Sequence, residues 1–157
     1  MEKLILLIYY TYCMRLDVKK ILVPIDGSES SFEAAKYALK VAKMNNAKVT
    51  LLHVSAIPPF PRYFESLEKY EEEIRKEAEE WFNKIKNFEE AKEVDIEQVV
   101  NTTALSVVEG IIHIAEEGNF DLIIISPRGK SRLKRLLLGS VTTGVVTYAT
   151  CPVLVVR

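Results

Sequence analysis

Short apolar runs alternate along the chain with longer stretches of helical period. Ile21-Leu22-Val23-Pro24-Ile25 is apolar without a break, as expected of a strand buried on both faces. It ends at Asp26-Gly27. In the helix that follows, Ser30 and Glu33 have capping-box spacing, and Phe32, Ala35, Leu39 and Ala42 share one face. Asn45-Asn46 suits its end. Residues 48–54 read as a second strand. Pro58, Pro59 and Pro61 make residues 55–62 a loop. A highly charged helix is expected over 65–91, with Leu67, Ile74, Ala78, Trp81, Ile85 and Phe88 as its apolar face. Val94, Ile96 and Gln98 alternate with polar neighbours, which predicts a half-exposed third strand ending at Val99-Val100. A helix over 104–117 would bury Leu105, Val108, Ile112 and Ala115 and stop at Gly118-Asn119. Asp121-Leu122-Ile123-Ile124-Ile125 is the fourth strand. A helix over 141–148 leads to the fifth, Cys151-Pro152-Val153-Leu154-Val155-Val156.

Strand and helix alternating in this way mean an α/β protein: a single open, doubly wound, Rossmann-like parallel sheet with helices on both faces, joined by right-handed crossovers. Ligands of such sheets bind at the carboxyl ends of the strands, where the winding reverses. A chain of 157 residues with ordinary apolar and charged content fits one domain. The net charge of −1 gives no reason to expect a nucleic-acid partner. Cys13 and Cys151 form neither a disulfide framework nor a metal-ligand spacing, which fits a reducing cytoplasm. His53 and His113 stand apart and read as structural. Residues 1–13 are apolar and aromatic but shorter than the roughly 20 residues of a membrane span. They also lack a small-residue cleavage site. The expected division is an N-terminal extension over 1–17 and one domain over 18–157, with no membrane partner. The extension reads as loosely attached, or as the product of a mis-assigned start ahead of Met14. An added edge strand or an oligomer contact is the other reading.

Two strand ends carry unusual chemistry: Pro24-Ile25-Asp26, and Ser126-Pro127-Arg128-Gly129. Neighbouring strands would bring them together. The Asp26 carboxylate can accept from ribose hydroxyls but repels phosphate; equally, Asp-Gly is a common turn pair. Gly129 can let backbone approach a phosphate, or can supply a positive φ. Gly139-Ser140 opens the helix continued by Val141 and Thr142. There, unpaired N–H groups and the positive end of the helix dipole favour an anion. Ser140 can equally be an N-cap. Arg128, Lys130, Arg132, Lys134 and Arg135 make this segment basic, and Arg128, beside the glycine, is the one expected to reach a ligand.

Other chemistries are disfavoured. Gly129-Lys130-Ser131 resembles the end of a P-loop, but Ile124 stands where the earlier glycine is required. No Gly-x-Gly-x-x-Gly follows a strand, and no nucleophile–base arrangement or metal-ligand set is apparent. The third strand leads to Asn101 rather than the aspartate of a phospho-accepting receiver.

Three segments together resemble the universal stress protein family. They are Lys19-Lys20-Ile21-Leu22-Val23-Pro24-Ile25-Asp26-Gly27-Ser28, the Gly129-x9-Gly139-Ser140 loop, and Cys151-Pro152-Val153-Leu154-Val155-Val156. The resemblance covers residues 18–157. It implies five parallel strands in the order 3-2-1-4-5, and a homodimer built through the last strand, Val153 to Val156. It implies an adenine nucleotide: ATP, or ADP or AMP in its place, with or without magnesium. Carried over by position, Asp26 would hold the ribose, the backbone of Val54 the adenine, and Gly129, Gly139 and Ser140 the phosphates. Pro24, Ile25 and Ile125 would line the pocket. The family's loop opens with a glycine where this chain has Ser126, followed by Pro127. Serine at a positive φ would cost about 1 kcal/mol or more, and proline removes an N–H donor. The implied function is a stress-response regulator that binds nucleotide and signals through its conformation or an unidentified protein partner, with no catalytic residues. The alternatives are a dimeric interaction protein with a vestigial loop, and a slow ATPase.

Overall fold

The computed structural model describes residues 17–57, 66–129 and 138–157. Five parallel strands form one sheet: β1 (Lys20–Pro24), β2 (Lys48–Ala56), β3 (Ile96–Thr103), β4 (Leu122–Ile125) and β5 (Val153–Val155), in the order β3-β2-β1-β4-β5. Between them lie α1 (Glu29–Asn45), α2 (Leu67–Lys86) with a 3₁₀ turn at Glu89–Ala91, α3 (Val107–Glu117) and α4 (Ser140–Tyr148). The expected α/β architecture and strand order are both present. The register sets Ile21 beside Val49 and Leu122, and Ile123 beside Val153.

Alternation along the strands feeds two cores. Ile21, Val23, Val49, Leu51 and Ile124 face α1 and α2, meeting Phe32, Ala35, Leu39, Phe82 and Ile85. Leu22, Leu52, Val54, Ile123 and Ile125 face α3 and α4, meeting Ile111, Ala115 and Val145. A sheet covered on both faces explains why β1 after its exposed first residue, Lys20, and the whole of β4 carry no polar side chain on either side.

Several boundaries differ from expectation, each for a local reason. Ser28, not Ser30, caps α1: its Oγ accepts from the Ser31 N–H at 3.2 Å. Gly27 turns the chain with φ +80°, so the helix can begin at Glu29. Asn46 closes α1 in the left-handed conformation, its N–H donating to Ala42 O. β2 runs on through Ser55 and Ala56, and β3 past Val100 to Thr103, because the two pair continuously from Val49 with Ile96 to Ala56 with Thr103. α2 starts at Leu67 under a Ser66 cap, leaving Leu67 exposed; Ala78 and Ile85 are buried as expected, and Tyr70 and Phe82 are buried with them. The capping box belongs to α3: Ser106 Oγ accepts from the Glu109 N–H, and the Glu109 carboxylate accepts from the Ser106 N–H at 3.0 Å. That start leaves Leu105 outside the helix and exposed, and turns Ile111 rather than Val108 or Ile112 fully inward. Residues 1–13, Pro58, Pro59, Pro61, Lys130, Arg132, Lys134 and Arg135 lie outside the described residues.

Candidate functional site

The winding of the sheet reverses between the parallel neighbours β1 and β4, which are reached by crossovers on opposite sides. A cavity of about 260 Å³ opens there, at the carboxyl ends of the strands. Its lining includes every candidate site residue: Pro24, Ile25 and Asp26 after β1; Val54 on β2; Ile125, Ser126, Arg128 and Gly129 after β4; and Gly139, Ser140, Val141 and Thr142 at the start of α4. Leu52, His53, Val107 and Ile111 also line it and were not foreseen. The apolar members Leu52, Val54, Ile111 and Ile125 belong to the α3–α4 core. That core extends to the surface here, giving the cavity an apolar end opposite its polar loops.

Asp26 acts both as a turn residue and as a cavity wall. Its Oδ1 accepts from the Ser28 N–H at 3.0 Å and from the Ser28 hydroxyl at 2.6 Å. The carboxylate is thereby fixed with Oδ2 turned toward Gly129, where a β-carbon would run into it. Gly129 does not have a positive φ; that conformation belongs to Gly27. Close approach to Asp26 is therefore the reason for glycine at 129.

Ser126 replaces the glycine of the family loop without backbone strain, since its φ is not positive. It is 5% exposed, and its hydroxyl donates to Arg128 O at 2.8 Å. Ser126 O accepts from the buried Thr142 hydroxyl at 2.8 Å, which pins the loop to the first turn of α4. The Gly139 N–H donates to Pro127 O at 2.8 Å, a second tie between loop and helix.

Gly139, not Ser140, is the N-cap of α4, and no side chain caps this helix. The first intrahelical bond runs from the Thr143 N–H to Gly139 O. Because the Gly139 N–H is committed to Pro127, the donors of this helix end are those of Ser140, Val141 and Thr142, which have no carbonyl one turn earlier. They face the cavity mouth with the positive end of the helix dipole, beside the half-buried Arg128. The cavity thus has a carboxylate suited to hydroxyl donors near β1 and cationic, donor-rich chemistry near α4.

His53 sits on the other face of β2. Its Nδ1 lies 2.8 Å from Ile25 O; a carbonyl only accepts, so Nδ1 carries the hydrogen. The ring meets the indole of Trp81 edge-on, 5.1 Å between centroids. His113 is exposed, 3.4 Å from the Glu117 carboxylate. Burial raises the pKa of the Cys151 thiol, keeping it protonated. Among the described residues no group of three or more His, Cys, Asp or Glu could hold a metal ion. No helix of the described residues is long and apolar enough to cross a membrane.

An open doubly wound sheet with a cleft at its switch point defines a broad class of ligand-binding α/β proteins. Within it the assignment is specific. The Universal stress protein family model matches residues 17–157, and the chain belongs to that family. Universal stress protein MJ0531 of Methanocaldococcus jannaschii is 39% identical over 143 residues, covering 88% of this chain and 82% of the relative. The solved structure of MJ0577 from the same organism is 34% identical with a TM-score of 0.71, covering 88% of this chain and 95% of that one. A universal stress protein crystallised in complex with cAMP is 25% identical with a TM-score of 0.68, covering 90% and 98%.

Proposed function

We propose that this protein is a regulatory module that binds an adenine nucleotide in the cavity between β1 and β4. Occupancy would be read by a partner through the conformation of the surrounding loops. One observation carries the reading: Asp26, the 126–129 loop and the amino end of α4 line the same cleft, whose far end is apolar. Adenine would lie at the apolar end against the Val54 backbone, the ribose hydroxyls on Asp26, and the phosphates on the Ser140, Val141 and Thr142 N–H groups with Arg128 beside them. The relative crystallised with cAMP supports the adenine nucleotide class. ATP is the ligand we favour within it, with ADP and AMP as competitors and magnesium accompanying the phosphates. A homodimer through the last strand accompanies this reading. β5 ends the sheet with Leu154 37% exposed, an apolar edge that pairing with a second copy would cover.

Gly139→Val tests the site. Among the described residues, the nearest atoms to a β-carbon at Gly139 are Arg128 Cα at 3.4 Å, Pro127 O at 3.5 Å and Gly129 N at 4.0 Å, ordinary contacts that the fold accepts. The branched side chain then crowds the anion end. The expected result is loss of ATP binding with an unchanged circular dichroism spectrum and melting temperature. Unchanged ATP affinity in that variant refutes the site. A second reading, a dimeric interaction protein that binds no nucleotide, is favoured by Pro127, which has no N–H to offer a phosphate. Failure of the unmodified, nucleotide-stripped protein to bind any adenine nucleotide would select it.

A further inference from the structure

A line of hydroxyl groups joins the two halves of the cleft. Ser28 Oγ donates to Asp26 Oδ1 at 2.6 Å. Ser28 Oγ and Ser30 Oγ lie 3.1 Å apart. Ser30 Oγ donates to Arg128 O at 2.8 Å, and Ser126 Oγ donates to the same carbonyl at 2.8 Å. The hydrogens can be counted. The single hydroxyl hydrogen of Ser28 is committed to the carboxylate, a charge-assisted bond and the shortest of the set. Ser30 then has one hydrogen and two acceptors within reach, Arg128 O and Ser28 Oγ. The carbonyl is the closer and takes it.

Ser126 and Arg128 belong to the same loop, so the bond between them shapes the loop without fixing its position. Ser30 stands in the first turn of α1, a 17-residue helix packed against the core through Phe32, Ala35 and Leu39. We propose that Ser30 is a positioning residue for the anion loop, anchoring Arg128 O to α1 and so holding the 126–129 backbone in register with the Asp26 turn. This rests on the nucleotide reading above and deepens it. Ser30 is not among the residues that line the cleft; it sets how far the phosphate end of the cleft lies from the ribose end. Rotating its hydrogen from Arg128 O to Ser28 Oγ would free the loop from α1, leaving the Asp26 turn and the two ties to α4 intact.

The test compares unmodified protein, Ser30→Ala and Ser30→Thr in two measurements. The first uses no ligand: hydrogen exchange of the peptide containing residues 126–129. Ser30→Ala is expected to speed exchange about 3–10-fold, the factor for one net hydrogen bond, and Ser30→Thr to restore it. The second is calorimetric titration with ATP and, separately, with adenosine. Ser30→Ala is expected to weaken ATP about 3–10-fold, leave adenosine unchanged, and recover with threonine. A merely structural serine would weaken both ligands alike. Unchanged exchange in Ser30→Ala, or equal losses for ATP and adenosine, overturns the proposal. If the unmodified protein binds neither ligand, the nucleotide reading fails, and the exchange measurement still decides whether Ser30 anchors the loop.

Discussion

Replacing Gly27 by alanine should destabilise the protein substantially, although Gly27 is a half-buried loop residue. Two penalties coincide. Gly27 holds φ at +80°, where an L side chain costs about 1–2 kcal/mol. The added β-carbon would also lie 2.6 Å from Trp81 Cζ2 and 2.7 Å from Trp81 Nε1. The indole has little room to withdraw, since it packs partly buried against the first core and edge-on to His53. Forcing an extra methyl into such a contact costs about 1–3 kcal/mol. The sum is centred on about 3.5 kcal/mol, a fall of roughly 7–14 °C in melting temperature for a chain of this length. Urea unfolding followed by far-ultraviolet circular dichroism measures it. The same substitution in a Trp81→Ala background isolates the two parts: the steric cost disappears and about 1–2 kcal/mol of backbone cost remains. A Gly27→Ala protein within about 0.5 kcal/mol of the unmodified one, the ordinary scatter of surface substitutions, would refute the reasoning. So would an equal loss in both backgrounds, which would remove Trp81 from the account.

Gly129→Ala should leave the fold standing but weaken ATP by about 10-fold or more, one charge-assisted hydrogen bond's worth. Its β-carbon displaces the loop from an Asp26 carboxylate held by Ser28; unchanged affinity by calorimetry would contradict this. Thr142→Val should cost about 1–3 kcal/mol in urea unfolding by stripping the buried Ser126 carbonyl of its donor; a neutral result would mean the loop is not pinned there. The Ser106 hydroxyl and N–H hold the Glu109 carboxyl below its ordinary pKa. A carboxyl depressed by folding stabilises fully above its unfolded pKa and loses that contribution as pH falls through the folded value. The melting-temperature gap between unmodified protein and Glu109→Ala should therefore be open at neutral pH and narrow below about pH 4, the ordinary carboxylate range. A gap constant from pH 7 to pH 3 would contradict the capping-box assignment.

Much of the architecture was legible because the signals were local and redundant. Uninterrupted apolar runs at β1 and β4 have no explanation but burial on both faces, and alternation with helices then dictates a parallel sheet. The candidate site was legible because unusual residues fell at strand ends, where such sheets bind ligands. What eluded sequence reasoning depends on distant partners or on near-equivalent local choices. Ser28 and Ser30 are both plausible caps, and only the turn geometry of Gly27 selects the first. Gly129 is able to serve a positive φ, but its reason is the Asp26 carboxylate in the turn after β1. Leu67 and Leu105 fit helical stripes yet lie where the helices have just begun or not yet started. Ser106-x-x-Glu109 and Ser30-x-x-Glu33 have the same capping-box spacing, and only the first stands at a helix start that lets the box form. His53 at the cavity gave no signal, because its tie to Ile25 O exists only once β1 and β2 pair.

The central claim is that the cleft between β1 and β4 binds an adenine nucleotide. Calorimetric titration of purified, nucleotide-stripped protein with ATP and magnesium tests it most directly, with a thermal melt at saturating ligand as its companion. The account predicts saturable binding, and about 2.7 kcal/mol of added stability once ATP exceeds its dissociation constant 100-fold. No heat of binding and no thermal shift at millimolar ATP would contradict it.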